Sequence, residues 1–136
     1  MMAFATAVGA ATGFWFVAAA ISFFNPVVDK VYRSEESHPA VRQLPQSPAT
    51  IGKILLAVLV QCLAWAWVYQ TVAPALGGDL TNKALLFGTI LTATKILPRD
   101  IDRILLTTYP PKRLAIEFVV GVLCAYVVGF TFAWLL

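Results

Sequence analysis

Long apolar runs separated by short polar stretches set the pattern of this chain. Four runs stand out: Ala3–Asn25, Gly52–Ala73, Thr81–Leu97 and Leu114–Leu136. A membrane-spanning helix needs about 20 mostly apolar residues. Three runs meet that length. Thr81–Leu97, with about 17 residues, sits at the lower limit for crossing ~30 Å of hydrocarbon. The pattern predicts an all-α integral membrane fold, a four-helix transmembrane bundle forming one domain over residues 1–136. Polar loops fall at 26–51 and 98–113.

Punctuation between the runs refines this reading. Pro26 follows Phe23-Phe24-Asn25, and proline disfavours helical backbone in the residue before it, so the first helix ends or kinks there. A short interfacial helix over Val27–Arg33 is expected next. Pro39, Pro45 and Pro48 then break any longer helix. Ser47-Pro48 and Thr50 supply start signals for the second span. Pro74 through Gly78 predict a tight turn, with Asp79 or Thr81 capping the third. Trp65, Trp67 and Tyr69 on the second span and Trp134 on the fourth fit an aromatic belt at head-group level. Polar positions Gly88, Thr92, Lys95, Arg99 and Asp102 recur at helical spacing, and Ile101–Thr108 is expected to lie on the membrane surface as an amphipathic segment.

Composition agrees with a membrane class. The chain is 60% hydrophobic and 12% charged, whereas soluble domains average about 45–50% and about 25%. Charge then sets the orientation. Lys30, Arg33, Arg42 and Lys53 flank the first loop, and Lys95, Arg99, Arg103, Lys112 and Arg113 flank the last. Only Lys83 lies elsewhere. Basic loops stay in the cytoplasm, which predicts both termini outside, in a multi-pass protein of a bacterial inner membrane. No charged n-region precedes the first run, so an inserted helix is expected rather than a signal peptide. No soluble domain is expected at either end. The net charge of +3 points to anionic lipid head groups. No basic-aromatic platform suggests nucleic acid.

A weak internal echo is visible. Pro26 is followed by Asp29-Lys30-Val31, and Pro98 by Asp102-Arg103-Ile104. The chain reads either as two tandem hairpins in one orientation, as in transporters with parallel repeats, or as four helices with a chance likeness.

Two features could carry function. The first is packing. Glu117, Gly121, Ala125, Gly129 and Ala133 recur every four residues, and Ala5, Gly9 and Gly13 form a matching line on the first helix. Small residues at this spacing let helix backbones approach closely in lipid. They serve contact within the bundle or with another subunit, or leave a groove for a flat ligand such as a quinone, a carotenoid pigment or a lipid tail.

The second feature is polar. An ionisable residue inside a span is a functional hypothesis by default. Glu117 lies roughly 6 Å past Arg113 at the helical rise, so Arg113 or Lys95 could pair with it at the interface. Alternatively Glu117, Lys95, Thr92 and Gln61 form one polar site for an ion, a proton or a lipid head group. Gln61, about 12 Å deep, also suits a simple interhelical hydrogen bond.

Other chemistry lacks its residues. His38 is the only histidine, without the three or four converging ligands of a metal site. Cys62 and Cys124 sit mid-span without a CxxC pair. No hydrolase, zincin or nucleotide-loop motif occurs, so a non-enzyme is expected.

Phe23-Phe24-Asn25-Pro26-Val27-Val28-Asp29-Lys30-Val31-Tyr32, and the segment from Tyr109-Pro110 to Gly129, resemble the corresponding parts of a family of small four-span bacterial membrane proteins with no assigned activity. The resemblance covers about 40 residues. It implies the four-span fold and transfers no functional residue; the proline-rich first loop here is longer. The sequence thus predicts a non-catalytic packing protein, either a homo-oligomer or an accessory subunit of a larger membrane complex. The alternative is a small transporter or channel built on the Glu117 group.

Overall fold

A computed structural model describes residues 1–45 and 47–136. Every regular element among the described residues is helical: α1 (Met2–Phe23), α2 (Pro26–Ser34), α3 (Pro48–Leu76), α4 (Leu80–Leu91), a π-helical turn (Thr92–Ile96), α5 (Leu97–Leu106) and α6 (Pro111–Leu135). Three of these, α1, α3 and α6, are long and apolar enough to cross a membrane. The third apolar run lies on α4 and the π turn. These continue into α5 as one rod from Leu80 to Leu106.

Local signals explain the boundaries. Asn25 is extended at φ −64°, ψ 128°, and its side chain accepts from the Val27 N–H at 2.9 Å, starting α2 directly at Pro26. Ser47 caps α3 by accepting from the Thr50 N–H at 3.2 Å, with Pro48 in the first turn. The second helix therefore begins four residues before Gly52. It also runs through Pro74 to Leu76, where a turn was expected. Gly77 and Gly78 make the reversal instead, at φ +58° and +74°, a region side chains resist. Asp79 then accepts from the Asn82 N–H at 2.7 Å and caps α4.

The π turn has a local cause in Pro98. Proline offers no N–H, and its ring crowds the carbonyl four residues back, here Thr94. Widening the preceding turn, with the Leu97 N–H donating to the Thr92 carbonyl, keeps the rod continuous. By contrast α1 and α2 are separated by a full break at Phe24-Asn25, so the two proline junctions of the echo fold differently.

The core gathers where α6 packs on α4 and α1, and α1 on α3. Phe87 and Phe132 are fully buried, and the Tyr69 ring meets Phe87 edge-on at 5.0 Å. Tyr69, only 3% exposed, is therefore a core residue and not part of an aromatic belt. Trp65 is half-buried. Trp67 and Trp134 do face outward. Much of α3 also faces outward through Ile51, Leu55, Leu59, Leu63 and Trp67, an apolar surface suited to lipid or to other helices.

The small-residue line of α6 is where the bundle closes. A Cβ on Gly129 would stand 2.5 Å from the Ala84 carbonyl oxygen and 3.1 Å from the Gly88 nitrogen. One on Gly88 would meet the Tyr126 ring at 2.5 Å, and Gly121 abuts Ile96. Ala125 and Ala133 are buried on the same face. α4 and the π turn thus meet the glycines of this line. The α1 line lies the other way. Ala5, Gly9 and Gly13 are exposed, and a Cβ on either glycine would meet nothing within 4 Å. α1 packs inward through Ala7, Val8, Ala11 and Thr12 instead.

Candidate functional site

Polar side chains collect where α2, α5 and the start of α6 meet. α6 presents Glu117 one and a half turns from its N-terminus. The Tyr32 hydroxyl on α2 donates to Glu117 Oε1 at 3.1 Å, and the Tyr109 hydroxyl donates to the same oxygen. Arg103 on α5 donates to Oε2 and forms an ion pair. Its guanidinium also lies 4.9 Å above the Tyr109 ring. Three elements and one loop are thereby tied to a single carboxylate, whose charge strengthens each bond.

The expected Glu117–Arg113 or Glu117–Lys95 pair does not form. Arg113 turns toward α2. Its Nη2 donates to the Tyr32 carbonyl at 2.8 Å, and the guanidinium stacks 4.2 Å from the Tyr32 ring. Arg113 is only 8% exposed. It has no carboxylate partner among the described residues, and its buried Nε is unpartnered.

Lys95 points away from Glu117 as well. Its ammonium donates to Gln61 Oε1 on α3 and lies 4.1 Å from the centre of the Trp65 ring. Thr92 spends its hydroxyl on the Gly88 carbonyl one turn back, at 2.8 Å. The four residues expected in one polar site are therefore divided: Gln61 with Lys95, Glu117 with two tyrosines and Arg103, and Thr92 on its own backbone. Arg99 lies between the groups, with Nη2 against Gly121. It is held by both oxygens of buried Asp100, at 2.6 and 3.1 Å.

Electrostatics outside the apolar spans follow from this packing. Burial pushes the Tyr32 hydroxyl well above the ordinary tyrosine range, and the negative Glu117 beside it adds to the effect. Tyr109 shifts upward for the same two reasons. Both remain donors to Glu117 at neutral pH. Arg99 is held more firmly protonated, chiefly by its hydrogen bond to Asp100.

Tyr32, Tyr109 and Arg103 are the members that sequence reasoning missed. Their signal was present, since two tyrosines and a basic residue flank the spans on the side where Glu117 enters. No pattern of spacing links positions 32, 103, 109 and 117, and only tertiary folding makes them neighbours. No group of three or more His, Cys, Asp or Glu side chains able to hold a metal occurs among the described residues. No protein-family model, curated protein or solved structure matches the chain.

Proposed function

We propose that this chain is a non-catalytic integral membrane protein that acts by packing, as an accessory subunit of a larger membrane complex or as a homo-oligomer. The observation that carries this reading is the orientation of α1. Its Ala5–Gly9–Gly13 line faces outward, with open space where each glycine Cβ would stand. A line of small residues facing the bilayer permits close approach by a further helix. The interior polar groups favour the same reading. Glu117 already accepts from three donors, including the Arg103 cation that balances its charge, and Lys95 is engaged by Gln61 and Trp65, so both are committed within the bundle.

The reading includes four crossings, with both termini outside and the Glu117 cluster at the cytoplasmic face of a bacterial inner membrane. α4 and the π turn would make the fourth crossing, spanning about 26 Å at the helical rise. Support comes from the close backbone approach of α4 to α6 at Gly129, which packs α4 directly against a helix long and apolar enough to cross a membrane. The one-sided distribution of Lys and Arg supports the orientation.

The test is a Gly9→Leu, Gly13→Leu double variant, solubilised gently from native membranes. Higher-order species on native gels should disappear while the unfolding midpoint of the chain holds, since neither glycine touches the bundle. Retention of those species would overturn the proposal. A second reading, a small transporter, rests on Lys95, an ammonium amid apolar helices with no carboxylate partner among the described residues. It requires Lys95→Gln to abolish flux in liposomes, and Glu117→Gln to do likewise.

A further inference from the structure

The start of α6 and the exposed side of α2 enclose an open cleft of about 450 Å³, lined by Asp29, Tyr32, Arg33, Glu36 and Arg113. Its walls carry two guanidinium groups and two carboxylates. The buried member is the informative one. Arg113 is more than nine-tenths buried, lines the cleft, and has neither an acidic partner among the described residues nor a partner for Nε. A buried cation without a counter-charge is costly, and an anion entering the cleft would supply one. A second observation lies at the same end of the helix. α6 has no side-chain cap, so the first-turn N–H groups of Lys112 and Arg113 are free, an arrangement that favours anions.

The opposite wall asks for a cation. The Glu36 carboxylate makes no hydrogen bond or ion pair among the described residues, and the Asp29 carboxylate is held only by Arg33 in an exposed pair at 2.8 Å. Such exposed pairs are weak and readily exchanged. The cleft lies where α1 has ended and α6 begins, at the head-group level of any bilayer these helices cross.

The geometry points to a binding site for a phosphoethanolamine group, with phosphate on Arg113 and Arg33 and the primary ammonium on Glu36 and Asp29. Arg113 presents planar donors suited to phosphate oxygens. The carboxylates distinguish a primary ammonium, with three N–H donors, from trimethylammonium, which has none. Phosphatidylglycerol lacks the cation and would set its hydroxyls against two carboxylates.

Delipidated full-length protein in detergent micelles would be titrated with phosphatidylethanolamine, phosphatidylcholine and phosphatidylglycerol of identical acyl chains, and bound lipid counted by native mass spectrometry. Phosphatidylethanolamine should bind at least roughly tenfold more tightly than the other two. Arg113→Gln should remove this binding. Glu36→Gln, at an exposed position outside the packed core, should bring phosphatidylethanolamine down to the level of phosphatidylglycerol. Equal binding of the three lipids would overturn the assignment, as would a folded Arg113→Gln variant with unchanged binding. Arg113 also ties α2 to α6. If that variant fails to fold, Glu36→Gln decides, and an unaltered preference refutes the site. Free O-phosphoethanolamine separates the sources. If it displaces the lipid, the head group alone is recognised; if the lipid binds and the free compound does not, the leaflet is the source.

Discussion

Gly129→Ala adds a single methyl group to α6, and the structure places it 2.5 Å from the Ala84 carbonyl oxygen and 3.1 Å from the Gly88 nitrogen. Carbon contacts settle at about 3.5–4.0 Å, so α4 and α6 must separate by roughly 1 Å. Both obstacles are backbone, which cannot rotate aside. Separation also loosens the Tyr126 ring from Gly88 and strains its 3.0 Å hydrogen bond to Thr89. Overpacking of this kind costs about 1–3 kcal/mol, offset by at most about 1 kcal/mol from the better helix propensity of alanine. With the full offset a net loss of up to roughly 2 kcal/mol is expected. Gly13→Ala provides the internal control. Its methyl meets nothing within 4 Å, so the propensity term acts alone and stability should hold or rise by up to about 1 kcal/mol. Equilibrium unfolding of both variants in mixed micelles, followed by far-UV circular dichroism, measures the difference. Equal stability of the two, or a larger loss from Gly13→Ala, would refute the assignment of α6 as the inward packing face.

Further outcomes follow from the polar clusters. Asp100→Asn, at a buried residue that holds Arg99 by two bonds, should cost about 1.5–3 kcal/mol, the worth of hydrogen bonds to charged groups, in the same unfolding assay. Glu117→Ala should cost more than Glu117→Gln, because an amide oxygen can still accept from Tyr32 and Tyr109 while alanine leaves three donors idle; equal losses would mean the tyrosines contribute nothing. Raised Tyr32 and Tyr109 values favour the protonated folded state, so their contribution is complete below about pH 10 and is lost as pH rises above it. Alkaline titration followed near 295 nm should show Tyr32 and Tyr109 ionising late, and returning to the ordinary tyrosine range once the chain is unfolded. Tyr32→Phe should lower the number of late-ionising groups by one.

Lys95→Met isolates the remaining question about the interior. The half-buried ammonium sits among apolar helices with only an amide oxygen and an indole face as partners, and removing a partly desolvated charge that has no counter-charge favours stability. The unfolding midpoint should rise. A fall would mean that the contacts with Gln61 and the Trp65 ring outweigh the cost of desolvating the ammonium.

What the sequence disclosed depended on whether a feature was periodic or tertiary. Helices α1, α3 and α6 were legible because their apolar runs exceed a membrane thickness. The caps at Ser47 and Asp79 were legible because they act over three residues. The α6 glycine line was visible as a repeat of four, yet the repeat alone could not say which helix would fill it. The equally regular α1 line fills nothing inside the bundle. Distances along one helix misled the reading of Glu117. Arg113 is its neighbour by helical spacing, but α2 offers Arg113 both an aromatic face and a carbonyl, while α5 delivers Arg103 to the carboxylate. A span-by-span reading treats each polar residue as a problem for its own helix to solve. In this fold the short surface helices α2 and α5 solve it, by carrying Tyr32 and Arg103 to the membrane-facing ends of longer ones. The outward α1 line is then the regular feature that the chain leaves without a partner of its own, which is why the packing reading rests on it.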